Sequence, residues 1–356
     1  DYTGMLVVAE VQPGSEAFGA LRPGDVLLRV NGRYVTQFEP LAAVLDDGVG
    51  SQVELQLSRG GHLRTAKLTV GDLHAITPAS YLEIGDGILH TLSWQQARHL
   101  NVPVRGVYVA SPGYSLGSAG VPRGAVIRSV NGQEVGDLDA LLAVLRPLGD
   151  GARVALRYVT LDDPNGSQLR SVRIDRRWFA ARRCSRNDAT GFWDCEDLAP
   201  PPAAAPPAPS STTFSRPAEP RAARLAPSLV GVGFDMPYSV SGVTERNYYG
   251  TGLLVDAARG LVVVDRNTVP VSIGDVRLTF AGTVEVPGRV EYIHPLHNFA
   301  LVRYDPALIG STPARAARLS PRPFKPGETV WVVGLGRDGE LKSRSTQIGD
   351  IEPLAL

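Results

Sequence analysis

The sequence predicts a mainly β protein with short helices: two α+β repeats, then a separate lobe of many short strands. Three observations predict it. LRPGDVLLRVNGRYV from Leu21 and VPRGAVIRSVNGQEV from Val121 align without a gap at an offset of 100 residues. A proline- and alanine-rich stretch interrupts the chain at 200–228, with nine of its 28 prolines between Pro200 and Pro227. Beyond it, short apolar runs separated by Gly, Pro and Asp recur with almost no helical period. At 356 residues and 43% hydrophobic, the chain has material for two or three cores, so one continuous fold is not expected.

Each repeat reads as strand, turn, strand, helix, strand. GMLVVAEVQPGS and RGVYVASPGYS supply the first matching strand and turn. Asn31-Gly32 and Asn131-Gly132 follow the β-rich runs Val26 to Val30 and Val126 to Val130, and each Asn-Gly supplies the positive φ angles of a two-residue hairpin turn. A short amphipathic helix comes next. In the second copy it begins near Asp137, an N-cap residue type, and presents Leu138, Leu141, Leu142 and Leu145 at helical spacing. Its counterpart is Pro40 to Leu45. The runs Val53 to Leu57 and Val154 to Tyr158 close the copies. Two units of about 80 to 100 residues are two domains; a solenoid needs more repeats.

These features resemble PDZ domains of the HtrA serine protease kind, closely in the first copy. In the second, Arg123-Gly124-Ala125 replaces Pro-Gly-Asp and leaves the turn intact. The resemblance implies peptide binding by strand addition, with a terminal carboxylate held by backbone N–H groups of a Gly-containing loop. For the second copy that loop falls on YLEIGDGILH, with Ile84, Gly85, Gly87 and Ile88, expected to face the helix Leu138 to Leu145. The equivalent loop of the first copy falls before Asp1, so that domain reads as N-terminally truncated. Domains are expected at 1–73, 74–178 and 229–356, with an extension at 179–199 and a spacer at 200–228.

The extension places Trp178, Phe179, Phe192 and Trp193 among Arg176, Arg177, Arg182, Arg183 and Arg186. Such interleaving either stacks single-stranded nucleic acid or anchors an extension on the preceding domain, and the second reading is the stronger. Its WF, RND and G-x-W-D elements resemble the segment that follows a PDZ-like domain in fungal pro-apoptotic HtrA-like proteases. Cys184 and Cys195 are its candidate disulfide, closing a short ring worth roughly 3 kcal/mol; two reduced thiols are the alternative. The proline-rich stretch is expected as a semi-extended spacer without a core.

In the last lobe, GTGLLVDAARGLVVVDRNTV and YIHPLHNFALVRYD resemble the first barrel of trypsin-like HtrA proteases, in which these segments carry the catalytic histidine and aspartate. Carried over, the base position falls on Asn267 and the orienting carboxylate on Asn298. An amide nitrogen is not basic enough to take a serine proton, and an amide supplies no charge to stabilise an imidazolium. No Gly-x-Ser-Gly follows before Leu356. No catalytic residue is therefore expected in this chain.

Other motifs are weaker. His294-x-x-His297 suggests zinc only until strand geometry is considered, since i and i+3 on a strand face opposite sides. Gly113 to Gly117 (GYSLG) matches the nucleophile-elbow spacing around Ser115, but is expected in a loop of the second repeat. Gly334 to Gly339 (GLGRDG) follows a strand, yet no amphipathic helix follows it, so a β-turn is expected. No metal and no cofactor is expected.

Lys plus Arg and Asp plus Glu balance at 36 each, so no global field attracts nucleic acid or an anionic membrane. No run of about 20 apolar residues exists to span a bilayer. Asp1-Tyr2-Thr3-Gly4 opens without a leader, as a trimmed product would, and with the cysteine pair this leans toward export to a bacterial periplasm or the extracellular space. The expected partners are peptides or unfolded protein C-termini, with an upstream protease domain or self-association as further options. The expected function is a peptide-binding PDZ tandem with an inactive trypsin-like lobe, regulating or scaffolding an HtrA-type protease in proteolysis or quality control. Two alternatives stand beside it: part of an active HtrA-like endopeptidase whose triad lies outside the chain, and a structural protein whose grooves are filled by its own segments.

Overall fold

A computed structural model describes residues 4–160, 162–200, 202, 206–243, 245–336 and 338–350. The start of the expected first domain, part of the spacer, Arg337 of GLGRDG and the last six residues of the final domain lie outside the described residues. The chain divides into two compact units, Asp1–Ala204 and Ala205–Leu356.

The first unit holds both repeats. In the first, Leu6–Val7, Val26–Val30, Gln52–Arg59 and His62–Thr69 pair in that order, and Arg33–Tyr34 pairs back on Val26–Val30. Asn31 and Gly32 have φ of 48° and 79°, and Asn131 and Gly132 have 50° and 77°. Asparagine has a second role that aspartate would not improve. The Oδ1 of Asn31 accepts the Glu54 N–H at 2.9 Å while its own N–H donates to the Glu54 carbonyl at 2.8 Å. Asn131 does the same with Ala155, at 2.9 and 2.8 Å. Each turn thus pins the next strand.

The helices differ. Phe38–Asp47 has no buried residue, whereas Leu138–Leu145 buries Leu138, Leu141, Leu142 and Leu145, with the Asp137 carboxylate accepting the Ala140 N–H at 2.8 Å. The second repeat belongs to a nine-stranded sheet. Its order is Gln168–Arg173, Arg153–Val159, Val126–Val130, Val107–Ser111, Gly87–Thr91, Ser80–Ile84, Arg182–Asn187 and Phe192–Asp197, with Gln133–Glu134 paired to Val126–Val130. The Arg/aromatic extension is thus two added strands of this sheet rather than an appendage. Trp193 packs on Tyr81 with ring centroids 5.1 Å apart, and Phe179 on Tyr114 at 6.1 Å.

In the second unit, Leu229–Asp235, Asn247–Asp256, Leu261–Val264, Ala300–Tyr304, Val284–Ile293 and Asp275–Phe280 close into a six-stranded barrel. Val230, Val232, Phe234, Leu254, Val262, Leu278, Phe280 and Val302 fill it. The glycines of GTG are there for space: a Cβ at Gly250 would fall 2.1 Å from the Thr268 hydroxyl, and one at Gly252 would fall 2.5 Å from a Val262 methyl. The barrel closes by Tyr304. The later strands Thr329–Leu335 and Leu341–Gln347 form a separate two-stranded hairpin, tied back where the Leu335 N–H donates to the Thr251 hydroxyl at 2.8 Å.

The spacer departs from the expectation of a coreless tether. The Ser210 N–H donates to the Leu308 carbonyl at 2.9 Å and the Thr212 N–H to the Thr312 hydroxyl at 3.0 Å. Phe214 packs on the barrel core, and Pro220–Leu225 is a short helix that buries Ala222. Composition forecast an extended backbone but not that one aromatic and two backbone amides would seat it.

Candidate functional site

The two positions expected to correspond to the catalytic base and its carboxylate lie on two turns between strands of the barrel. After Leu261–Val264, Asp265 caps the first: its carboxylate accepts the Thr268 N–H at 3.0 Å and the Thr268 hydroxyl at 2.7 Å. Asp265 is thereby committed to the turn, and Asn267 stands exposed at its crest. The second turn, between Val284–Ile293 and Ala300–Tyr304, carries Asn298. Its Oδ1 accepts the N–H of Arg266 at 3.0 Å, and the Arg266 guanidinium donates to the carbonyls of His294 (3.2 Å) and Pro295 (3.0 Å). Positions 267 and 298 are therefore neighbours, though 31 residues apart in sequence. What the pair can do chemically is hydrogen-bond; neither side chain takes a proton near neutral pH. A cleft of about 600 Å³ in this unit, lined by Gly231, Tyr249, Arg277, Glu285 and Asp338 among others, shares no residue with these turns.

The strand argument against zinc at His294 and His297 needs correction. The segment is a turn, so the two rings lie 4.5 Å apart instead of on opposite faces. The Nδ1 of His294 is already used, accepting the N–H groups of Leu296 (3.1 Å) and His297 (2.9 Å). Among the described residues no group of three His, Cys, Asp or Glu could hold a metal ion.

Ser115 also differs from its expected place. It lies in the short helix Gly113–Ser118, directly after the strand Val107–Ser111, so the strand-turn-helix context of a nucleophile elbow is present. Chemistry is not. The hydroxyl faces a cavity of about 30 Å³, room for about one water, lined by Ile84, Leu89, Leu116, Ile127, Leu141 and other apolar side chains. Its one titratable lining group is Asp175: burial works to raise that carboxyl, but the hydrogen bonds and charge of Arg177, with the charge of Arg173, together hold it below its usual range. GLGRDG falls where the two hairpin strands meet, and among the described residues no helix follows it.

The expected peptide site is assembled differently from the sequence picture. Gly85 and Asp86, with φ of 55° and 63°, form a two-residue hairpin turn that pairs Ile84 with Gly87. Ile84, Leu141 and Leu145 line the small cavity beside Ser115, while Ile88 points outward, 39% exposed. The four helix leucines are core residues, each at most 8% exposed. The strand Gly87–Thr91 has no free edge: Val107–Ser111 lies on one side and Ser80–Ile84 on the other. Sequence reasoning missed Ser80–Ile84, although its SYLEI alternation, with Leu82 and Ile84 on one face, was the available signal. Cys184 and Cys195 lie directly opposite each other on the paired strands of the extension and are joined as a disulfide.

Comparison with known proteins agrees with this architecture. A PDZ domain model matches residues 7–59, and a PDZ-like domain model residues 75–151. The chain is 38% identical over 99% of its length to the pro-apoptotic serine protease NMA111 of Ajellomyces capsulatus, covering 35% of that protein. It is 37% identical over 99% of its length to that of Coccidioides immitis, covering 34%. Over nearly its whole length this chain is thus similar to one region of fungal pro-apoptotic serine proteases. It spans about a third of the length of these curated relatives. A protease of M. tuberculosis in its active form covers 43% of the chain and 62% of its own, with 18% identity and a TM-score of 0.30, too low to say anything of this chain's chemistry.

These relatives overturn one expectation. They are fungal proteins, so the anticipated export to a bacterial periplasm or the extracellular space does not hold. The cysteine pair misled because hairpin register alone sets its Cα atoms 4.0 Å apart. Geometry makes the bond available and says nothing of the compartment.

Proposed function

We propose that this chain recognises peptide and does not cut it: two PDZ domains gather polypeptide while the trypsin-like lobe, without a working triad, regulates or scaffolds an HtrA-type protease in proteolysis or protein quality control. One observation carries the reading. The two positions that the resemblance assigns to the general base and its orienting carboxylate carry asparagine, and Asn298 accepts the N–H of Arg266, the residue before Asn267, at 3.0 Å. Removing charge and basicity at both positions takes away proton abstraction and the stabilisation of the resulting cation together. Peptide recognition is supported by the two PDZ matches.

The test is casein turnover and fluorophosphonate labelling of this chain. No turnover and no labelled serine are expected; a labelled serine with turnover overturns the reading. A second reading, an endopeptidase whose triad lies elsewhere in a longer protein, is favoured by the relatives' names and by their length, about three times that of the matched region. It predicts turnover by the longer protein that survives replacement of both Asn267 and Asn298 by alanine.

A further inference from the structure

Strand addition needs a free sheet edge beside the helix. In the second PDZ domain that position is taken by the chain itself. Ser80–Ile84 runs antiparallel to Gly87–Thr91, with Leu82 opposite Leu89 and Ile84 opposite Gly87. Leu82 is fully buried in the same core as Leu89, Leu138, Leu141, Leu142 and Leu145. The outer edge of the segment is closed in turn by Arg182–Asn187: Arg182 bonds Glu83, and Arg183 reaches both the Ser80 hydroxyl (3.2 Å) and Asp139 in the first turn of the helix. The disulfide fastens that closing strand to its neighbour Phe192–Asp197.

We infer that Ser80–Ile84 is the domain's own ligand, an internal antiparallel strand clamped by the 182–197 hairpin. Foreign ligands of this groove are then extended internal segments with a large aliphatic side chain in the place of Leu82, and they compete with it. Free C-termini are disfavoured by the end of the groove. Past Ile84 the chain reverses through Gly85-Asp86, and the Gly85 carbonyl already accepts the N–H groups of Tyr114 (2.8 Å) and Ser115 (3.1 Å). A tethered strand enjoys an effective concentration of order millimolar, so a free peptide making the same contacts binds the intact chain poorly. This inference rests on the peptide-recognition reading above and names its ligand class and regulation.

The experiment titrates a fluorescein-labelled, end-blocked Ala-Ser-Tyr-Leu-Glu-Ile-Gly peptide into the full chain and into Leu82→Ala, with hydrogen exchange of residues 80–84 followed in both. Arg182→Ala/Arg183→Ala, which loosens only the clamp, is the second variant, and circular dichroism verifies folding. The expected result is slow exchange at 80–84 in the unaltered chain, at least about tenfold faster exchange in the variants, and at least about tenfold tighter peptide binding to them. A free-acid version of the peptide gains nothing further. Equal peptide affinity for all three chains, or fast exchange at 80–84 in the unaltered one, overturns the inference and leaves peptide recognition standing. Slow exchange with no peptide binding to any folded chain overturns peptide recognition at this groove.

Discussion

The two PDZ repeats share a turn and differ in what holds them. Both rest on an Asn-Gly hairpin whose asparagine bonds the next strand on two sides. In the first, Asp25 is 1% exposed and accepts two hydrogen bonds from Arg59, both at 2.7 Å, plus the Arg22 N–H at 2.8 Å. In the second, Ala125 sits fully buried at the equivalent place, and register puts Thr160 where Arg59 would be. Acid and base are both gone, as they must be if neither is to be left buried without a partner. The first repeat, with a core of Leu27, Val30, Val35, Val53, Leu55 and Leu57, uses a polar lock; the second buries a helix and two further strands instead. A repeat conserves its local turn chemistry more strictly than the means of closing its core.

The largest test of this contrast is Leu141→Ala. Removing a side chain 2% exposed costs about 2–5 kcal/mol, and urea unfolding followed by hydrogen exchange should show the loss confined to the second repeat, with amides around Leu27 unaffected. Next comes Cys184→Ser/Cys195→Ser, expected to cost no more than about 3 kcal/mol and to speed exchange in Arg182–Asn187 first; an unchanged midpoint would show the hairpin held by its strand pairing alone.

The polar lock gives a third, smaller test with a sign. The Arg59 guanidinium holds the Asp25 carboxyl below its usual range, so its contribution is present above the unfolded value of about 3.9 and is lost as pH falls through the lowered folded value. The stability gap between the unaltered chain and Asp25→Asn should therefore be widest at neutral pH and shrink below about pH 4. Writing the second repeat's solution into the first, Asp25→Ala/Arg59→Thr, should destabilise less than Arg59→Ala alone, which strands a buried carboxylate. The smallest effect, about 1 kcal/mol, is expected for Asn31→Gly or Asn131→Gly, which keep the positive φ and delete the Oδ1 bond. Equal costs in thermal melts would confirm that the turn is the shared part; unequal costs would break the comparison.

Much of this was legible in the residues. The duplication, both Asn-Gly turns, the Asp137-capped helix and the barrel's short strands follow from self-similarity, period and turn chemistry, whereas the roles read at positions 267 and 298 came only from the resemblance to HtrA proteases. The polar strand RRCSRN was not legible as a strand, because its alternation is charged rather than apolar and only a neighbouring edge makes it one. The helix leucines read equally as groove or core, since helical spacing says which residues share a face and not what covers it.

By itself, then, the sequence determined the local elements and the absence of a basic group at two positions, because side-chain chemistry and backbone preference are properties of short segments. Only the tertiary structure decided that Asn298 reaches across to the Asn267 turn, that the rings of His294 and His297 meet at a tilt in a bend, and that Ser80–Ile84 fills the edge beside Gly87–Thr91. Those pairings join residues distant along the chain. They are chosen by which edges and apolar faces remain open once the local elements exist, and no local pattern records that choice.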